Sequence, residues 1–472
     1  MNSVLISAVH KSSGKTTVTL GLAAALARRD ARIQTFKKGP DYIDPMWLSR
    51  ASRNPCRNLD FQFMDKDEVV NEFVTHGSNA DLCMVEGNKG LFDGVDVEGS
   101  DSNAALGELL GTPIILVLDT TGMTRGIAPL IKGYCEFGEN IKIAGIILNK
   151  VGGPRHEQKL CSALERYTDV PVVGSIGRHP EMEIAERHLG LIPANESDHA
   201  DQKIETIANI IEGNVDLGIF GALACTTHTP KTVPFPLTPP RSSAPDLRIA
   251  IARDAAFGFY YPGDLEALAN AGAELTSFDT LSDTHLPDVD ALFIGGGFPE
   301  TQAAGLAANT ALRSDIRKHL EAGLPAYAEC AGLMYLSNSL TWNGARHEMV
   351  GFVPGDAVMH EKPVGRGYVT LKETPDAPWP LSSISGNHTP AHEFHYASLE
   401  NLPDGLRYAY EIKRGYGIDG KNDGLIVGNL LAGFAHHRNM RQNGWAERFV
   451  NFVRNHKRSG SSRNRDVVQA LG

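Results

Sequence analysis

Val4-Leu5-Ile6-Ser7-Ala8-Val9-His10-Lys11-Ser12-Ser13-Gly14-Lys15-Thr16-Thr17 decides how the first half of this chain is read. An apolar run ends in a small, flexible turn, and a helical pattern from Val18 to Arg29 follows. The order is strand, phosphate loop, helix. In such a loop the backbone N–H groups point at phosphate oxygens, and the helix dipole favours the same anion. Lys15 is placed to reach the outer phosphates and the Thr16 hydroxyl to ligate magnesium. Ser12, Ser13, Gly14, Lys15, Thr16 and Thr17 are therefore the candidate ATP contacts. The usual pattern has Gly six residues before the lysine; here that position is Val9. A plain Gly/Ser turn between strand and helix is the competing reading.

Working outward, apolar runs recur with helix-length segments between them: Val4–Val9, Ile33–Lys37, Leu82–Glu86, Ile114–Asp119, Ile143–Asn149 and Val170–Ile176. Short β-rich runs spaced this way predict an α/β domain with a mostly parallel sheet. Ligands on such sheets gather at the carboxyl ends of the strands. Lys37, Lys38, Asp41 and Asp44 lie at one such end, where carboxylates suit Mg²⁺, although Gly-Pro-Asp is also common turn punctuation. Glu86 ends the third run and is the best second magnesium anchor; Asp93, after a glycine-flanked loop, is another. Asn149 offers a donor and an acceptor to a purine edge, or caps a loop. Arg187 and His188 suit an anionic substrate, or form a solvated surface pair.

The totals bound these readings. The 472 residues suggest two or three domains, and 42% apolar with 21% charged residues is ordinary globular composition. A net charge of −11 argues against a general nucleic-acid binder. Cys56, Cys83, Cys135, Cys161, Cys225 and Cys330 are scattered, without a Cys-x-x-Cys pair. That favours a reducing cytoplasm over a disulfide framework or zinc site. No apolar run is long enough for a membrane span, and the chain enters a strand at once, without a signal-peptide pattern. Residues 226–245 contain six prolines and no periodicity, which reads as a semi-rigid linker. The expected division is thus 1–225, the linker, 246–456, and a Lys/Arg/Ser/Gly-rich tail, 457–472, expected to be disordered.

The strand pattern restarts at Leu247–Ala252, followed by a helix over Gly263 to Ala271 and strands at Glu274–Phe278 and Ala291–Ile294. The last runs into Gly295-Gly296-Gly297, whose N–H groups suit an oxyanion hole, with Gly296 and Gly297 as the candidates. Leu324-Pro325-Ala326-Tyr327-Ala328-Glu329-Cys330-Ala331-Gly332 has the shape of a nucleophile elbow, with Cys330 at the strand-to-helix turn. A helix N-terminus favours the thiolate, whereas most cysteines are simply buried. Such a nucleophile needs a base. His436 is the candidate; strand alternation points His437 the other way. His392 and His395 are read as shaping the site or packing nearby.

With these stretches in place, the chain resembles the cobyrinic acid a,c-diamide synthase group of glutamine-dependent amidotransferases over nearly its whole length. The resemblance rests on Ser13–Thr17, Phe36–Pro45, Arg57–Asp60, Val85–Gly87, Gly90–Gly94, Glu186–Leu191, Gly295–Glu300, Ala328–Tyr335 and His392–Tyr396. It implies a dethiobiotin-synthetase-like P-loop domain joined to a class I glutamine amidotransferase domain. The implied reaction is amidation of tetrapyrrole acetate groups, with ATP and Mg²⁺ as cofactors. ATP activates the carboxylate as an acyl phosphate near Lys15, with magnesium on Thr16, Asp41 and Glu86. Lys38, Asp44, Asp93, Arg187 and His188 are the substrate candidates. Cys330 attacks the glutamine amide, the Gly296–Gly297 backbone holds the oxyanion, and His436 moves the proton. Tetrapyrrole and glutamine are the expected partners, without nucleic acid or membrane, and a homodimer is the candidate assembly.

Three departures stand out. Many class I amidotransferases carry Glu two residues after the catalytic histidine; here that residue is Arg438, which leaves a Cys–His dyad with no named orienting group. His10-Lys11 in the phosphate loop and the region Met359–Tyr368 look more like the branch associated with dissimilatory sulfite reductase, which implies sirohaem as an alternative substrate. A non-catalytic, ATP-binding tetrapyrrole carrier is the rival of another class.

Overall fold

The computed structural model describes every residue except 139, 188–189, 198, 225–243, 380–387 and 471–472, and only the backbone at 186, 187, 190 and 460–470. Most of the expected linker, together with Cys225 and His188, therefore lies outside the described residues. The chain divides into two compact units, Met1–Phe235 and Pro236–Gly472.

The first unit runs β1 (Ser3–Ala8), α1 (Lys15–Ala27), β2 (Ile33–Lys38), α2 (Ile43–Ser52), β3 (Arg57–Leu59), α3 (Lys66–Gly77), β4 (Leu82–Glu86), α4 (Asn103–Leu110), β5 (Ile114–Asp119), α5 (Ile127–Phe137), β6 (Ile143–Val151), α6 (Pro154–Tyr167) and β7 (Val172–Gly177). A short pair, β8 (Glu186–Arg187) and β9 (Gly190–Leu191), precedes α7 (Ala200–Asn214) and α8 (Leu217–Leu223). The sheet order is β3-β2-β4-β1-β5-β6-β7, and every pairing is parallel. β1, β2 and β4 are buried at every position, as a sheet covered on both faces requires. β1 is where the winding reverses, so the loop after it sits at the switch point.

The expected strands appear with their ends moved by at most two residues. The unexpected strand is β3. Its residues Arg57 and Asn58 are polar, so no apolar run marks it. Asn58 Nδ2 donates to Gly39 O (2.9 Å) and Asp41 O (2.7 Å), so the strand braces the loop after β2.

The second unit opens with β10 (Leu247–Ala252), β11 (Phe257–Phe259), α9 (Pro262–Asn270), β12 (Ala273–Phe278), β13 (Ala291–Ile294) and β14 (Gly296–Gly297). Then come α10 (Ala303–Ala308), α11 (Thr310–Glu321), β15 (Ala326–Glu329), α12 (Ala331–Leu336), β16 (Ser339–Trp342), β17 (Ala345–Glu348) and β18 (Asp356–Met359). β19 (Gly365–Glu373), β20 (His388–His395), β21 (Ala397–Glu400), β22 (Arg407–Arg414), β23 (Asn422–Val427), β24 (Leu430–Gly433) and α13 (Trp445–Ala470) complete it. A nine-stranded sheet has the order β12-β10-β13-β15-β24-β23-β22-β19-β20. It is parallel from β12 to β24 and antiparallel beyond.

Period-two alternation splits its core. Ile249, Ile251, Phe293 and Tyr327 pack on one face, and Ala250, Ala252, Ile294 and Ala328 on the other. The tail from 457, expected to be disordered, continues α13 to Ala470. Trp445, Phe449, Val450 and Val453 anchor that helix in the core, and elongation is easy once a helix is nucleated.

Candidate functional site

The first site forms at the carboxyl ends of β1, β2 and β4. Gly14 caps α1 at φ 88°, and Ser12 also has positive φ, at 63°. Asn149 Nδ2 donates to Ser13 O (2.9 Å) and Lys150 Nζ to Ser12 O (3.1 Å), which ties the loop to β6. Asn149 Oδ1 also accepts from the Lys150 N–H at 2.9 Å. An amide has two hydrogens and two lone pairs, and these bonds use one of each, so the loop-holding reading of Asn149 is the one its contacts show.

Lys15 Nζ donates to Lys89 O at 2.6 Å. Burial, joined by the nearby Lys37 charge, pulls its ammonium down to about 8. Thr16 Oγ1 donates to Glu86 Oε1 (2.6 Å) and lies 3.2 Å from Asp44 Oδ2. Thr17 sits in the first turn of α1.

At the centre is Lys37, which sequence reasoning placed near the site without a role. Its Nζ lies 2.5 Å from Asp44 Oδ2, 2.9 Å from Glu86 Oε1 and 3.7 Å from Asp41 Oδ2. Burial works against its charge, but these three carboxylates outweigh it and hold the ammonium well above the usual lysine range. Asp41, whose Oδ1 accepts from the Ile43 and Asp44 N–H groups, is lifted to about 7 by burial and by the Asp44 charge. Burial also raises Glu86, and its Oε2 is buried without a hydrogen-bond partner.

Among the described residues no three His, Cys, Asp or Glu side chains close into a metal cage. The acids close on Lys37 instead. Mg²⁺ takes one or two carboxylates and keeps water and phosphate ligands, so Thr16 and the open Glu86 oxygen fit it without a cage.

The substrate candidates separate. Asp44 joins the Lys37 cluster. Lys38 is buried and donates to Asn88 Oδ1 at 3.3 Å, its ammonium lowered by burial. Asp93 accepts from Gly90 N at 3.0 Å and holds its own turn. Arg187 has only its backbone described, in β8.

The second site is built around Cys330, which caps α12 at φ 50°, ψ −101°, a strained turn for a residue with a side chain. Its N–H donates to Gly433 O at 2.7 Å. A Cβ at Gly332 would lie 2.3 Å from Ile294 O, so only glycine lets the elbow pack on β13. A Cβ at Gly296 would lie 2.6 Å from His436 Cε1, which puts the candidate oxyanion strand beside the imidazole.

His436 lies three residues past β24, which ends at Gly433, so it follows the strand end rather than sitting at it. It is held by a backbone bridge to His392, with His436 N to His392 O at 2.7 Å and His392 N to His436 O at 3.1 Å. Burial disfavours its charged form, yet the Cys330 thiol and the Glu329 carboxylate outweigh burial and lift it to about 10. His437 faces elsewhere: its Nδ1 is 3.0 Å from Asn443 Nδ2, and burial lowers it to about 4. His395 stacks on Phe434 at 4.0 Å, and burial holds His392 down at about 3. Both shape the site. Arg438 is buried over the Tyr261 ring at 5.1 Å.

Residues 6–192 match the CobQ/CobB/MinD/ParA nucleotide binding domain family, and residues 248–443 match the CobB/CobQ-like glutamine amidotransferase domain family. The cobyrinate a,c-diamide synthase of Magnetococcus marinus is 46% identical over 92% of this chain and 93% of its own length. The chain belongs to the cobyrinate a,c-diamide synthase family. The enzyme of that name from Methanosarcina acetivorans is 39% identical over 92% of this chain and 91% of its own. The one from Listeria monocytogenes is 36% identical over 92% and 96%.

As a family member the protein is a glutamine-dependent amidoligase, and the non-catalytic carrier reading falls. What sequence reasoning missed is the role of Lys37, and the signal that could have marked it as a buried counter-ion is a lysine near a strand end beside three candidate acids, Asp41, Asp44 and Glu86. Among the described residues no helix is long and apolar enough to cross a membrane.

Proposed function

We propose that the protein amidates the a and c acetate carboxylates of cobyrinate, using ATP, Mg²⁺ and glutamine. The observation that supports this reading is that Thr16 donates to Glu86 at 2.6 Å next to Lys15 in one unit, while the Cys330 thiol acts on the His436 imidazole in the other. A carboxylate is a poor electrophile, so the first site transfers the terminal phosphoryl group of ATP to it, giving an acyl phosphate and ADP. Lys15 and the loop N–H groups hold the phosphates. Thr16 and Glu86, with Asp41, would hold the Mg²⁺ ion, which would supply charge neutralisation at the phosphates; Asp44 lies beside them.

At the second site Cys330 attacks the glutamine side-chain amide, the Gly296–Gly297 backbone stabilises the oxyanion, and His436 gives its proton to the departing ammonia. Water then releases glutamate. Ammonia displaces phosphate from the acyl phosphate and forms the amide.

The second reading keeps the chemistry and changes the macrocycle to sirohaem, supported by His10-Lys11 and the Met359–Tyr368 region. The test is a paired assay with ATP, Mg²⁺ and glutamine on cobyrinic acid and on sirohaem, read by product mass. Amidation of cobyrinic acid alone supports the first reading, and amidation of sirohaem alone supports the second. No product from either, with no glutamate released, overturns both.

A further inference from the structure

A Cys–His pair leaves the imidazole free to rotate unless something holds its second nitrogen, and Arg438 cannot hold an imidazolium. The structure brings another group to that place. Glu329 immediately precedes the nucleophile and is almost fully buried. Its Oε2 lies 3.4 Å from His436 Nδ1. Its Oε1 accepts from the Tyr327 hydroxyl at 2.5 Å and from the His437 N–H at 2.9 Å. Strand alternation puts Tyr327 and Glu329 on the same face of β15, so the phenol reaches the carboxylate from two residues away. Tyr327 is itself fixed by Phe293, stacked at 5.2 Å, and by Trp445 at 5.0 Å. The carboxylate is thus fixed through one oxygen and offers the other to the catalytic histidine.

We infer that Glu329 is the positioning residue of the Cys330–His436 pair, doing from the nucleophile's own strand what a glutamate two residues after the histidine does in many class I amidotransferases. The inference rests on the amidotransferase reading above. In this arrangement His436 keeps Nδ1–H toward Glu329 and turns Nε2 to the Cys330 thiol. The proton leaving Sγ goes to Nε2, and the imidazolium is stabilised from the Nδ1 side. The other ionisable groups around His436 are Cys330 on the elbow, His392 on β20, and His437 next in the chain. His392 is held neutral by burial first and then by the His436 charge, and His437 is likewise lowered by burial. Among the described residues, Glu329 is the carboxylate that the structure pairs with the ring.

The test reads the pair directly, by the rate at which iodoacetamide alkylates Cys330, followed by peptide mass so that exposed Cys135 serves as internal control. At about pH 6 a thiolate persists only as an ion pair with imidazolium, whereas at about pH 10 a thiol ionises unaided. Glu329→Gln should slow Cys330 alkylation about tenfold at the lower pH, one pKa unit of lost imidazolium support, and leave the rate at the higher pH unchanged. Glu329→Asp, which keeps the charge but shortens its reach, should restore part of the low-pH rate. It also carries the test if the Gln variant does not fold.

The alkaline limb of glutamine hydrolysis should move to lower pH in Glu329→Gln, while ammonia-driven amidation reports on folding. An unchanged low-pH rate overturns the inference, and so does an equal drop at both pH values, which marks a packing effect. The alkylation needs no substrate. A wild-type protein that releases no glutamate yet shows the pH-selective drop would sink the functional reading and leave this one standing.

Discussion

Both sites bury charge at the carboxyl ends of parallel strands, but they balance it differently. Around Lys37, three carboxylates share one ammonium, and a fourth polar group, Thr16, donates into the same cluster. The cluster holds more acid than base. Asp41 is raised to about 7, Glu86 is raised as well, and Glu86 Oε2 has no hydrogen-bond partner. Around His436, one carboxylate and one thiol flank one imidazole, and backbone N–H groups complete the set. The first site therefore holds acid that its one ammonium does not fully balance, as the proposed Mg²⁺ and ATP site would need. The second carries its own acid, base and nucleophile. On the proposed function, the site that would admit a charged ligand is the one left out of balance, and the one that would react with a neutral side-chain amide is not.

The comparison breaks most sharply at the nucleophile. Cys330→Ala should abolish glutamine-driven amidation, a loss on the order of 10⁴-fold or more, and keep the ammonia-driven reaction at high ammonia concentration. Equal loss of both rates in a folded variant would contradict the independence of the two sites. Next comes the counter-ion. Lys37→Met leaves Asp44 and Glu86 buried without their ammonium, which should cost about 3–5 kcal/mol. Mg²⁺ should restore part of that stability in thermal unfolding and should stabilise the wild type less. An equal Mg²⁺ effect on both proteins would mean that the cation binds elsewhere. Lys15→Ala should lower glutamine-driven and ammonia-driven amidation together, by about 10²–10³-fold, because phosphate stabilisation serves both. Glutamine hydrolysis measured alone should persist.

The legible part of the molecule is the part written in apolar periodicity and in glycine. β4, β5 and β13 announce themselves as apolar runs, closed by an acid in β4 and β5, and the elbow at Cys330 is marked by small neighbours whose necessity Gly332 demonstrates. β3 escaped because a strand of Arg57 and Asn58 is held by hydrogen bonds rather than by an apolar face. Lys37 and Glu329 escaped as site residues for the same reason. Each is an ionisable side chain buried near the end of a strand, and its role depends on what three-dimensional packing brings to it from 4 to 107 positions away. Sequence spacing carries no record of such partners. The absence of a glutamate at position 438 was visible, but its replacement at Glu329 became visible only with the Nδ1 to Oε2 distance.

The mildest test of the contrast lies in Asp264 on α9. Like the acids of the first site it is buried, and the cation that bears on it is the Arg438 guanidinium. Its Oδ1 accepts from Asn439 N at 2.8 Å, and its Oδ2 lies 3.3 Å from Trp445 Nε1, which ties down the chain just beyond His436. Burial, with the Glu329 charge adding to it, lifts this carboxyl to about 8, so it is held as the neutral acid near neutral pH. The sign follows from linkage. The folded value stands above the unfolded one of 3.8, so the folded state holds the proton more tightly. The stabilisation from this group is complete below the unfolded value and is lost as pH rises toward and through 8.

Asp264→Asn keeps the shape and removes the titration. Its thermal stability should therefore fall less steeply than that of the wild type between about pH 6 and pH 8, with a difference of about 1–2 kcal/mol accumulating across that window. Parallel curves would mean that Asp264 is ionised in the folded protein. In that case the Arg438 guanidinium would be holding it as an ion, a balanced pair where the first site has three acids on one ammonium.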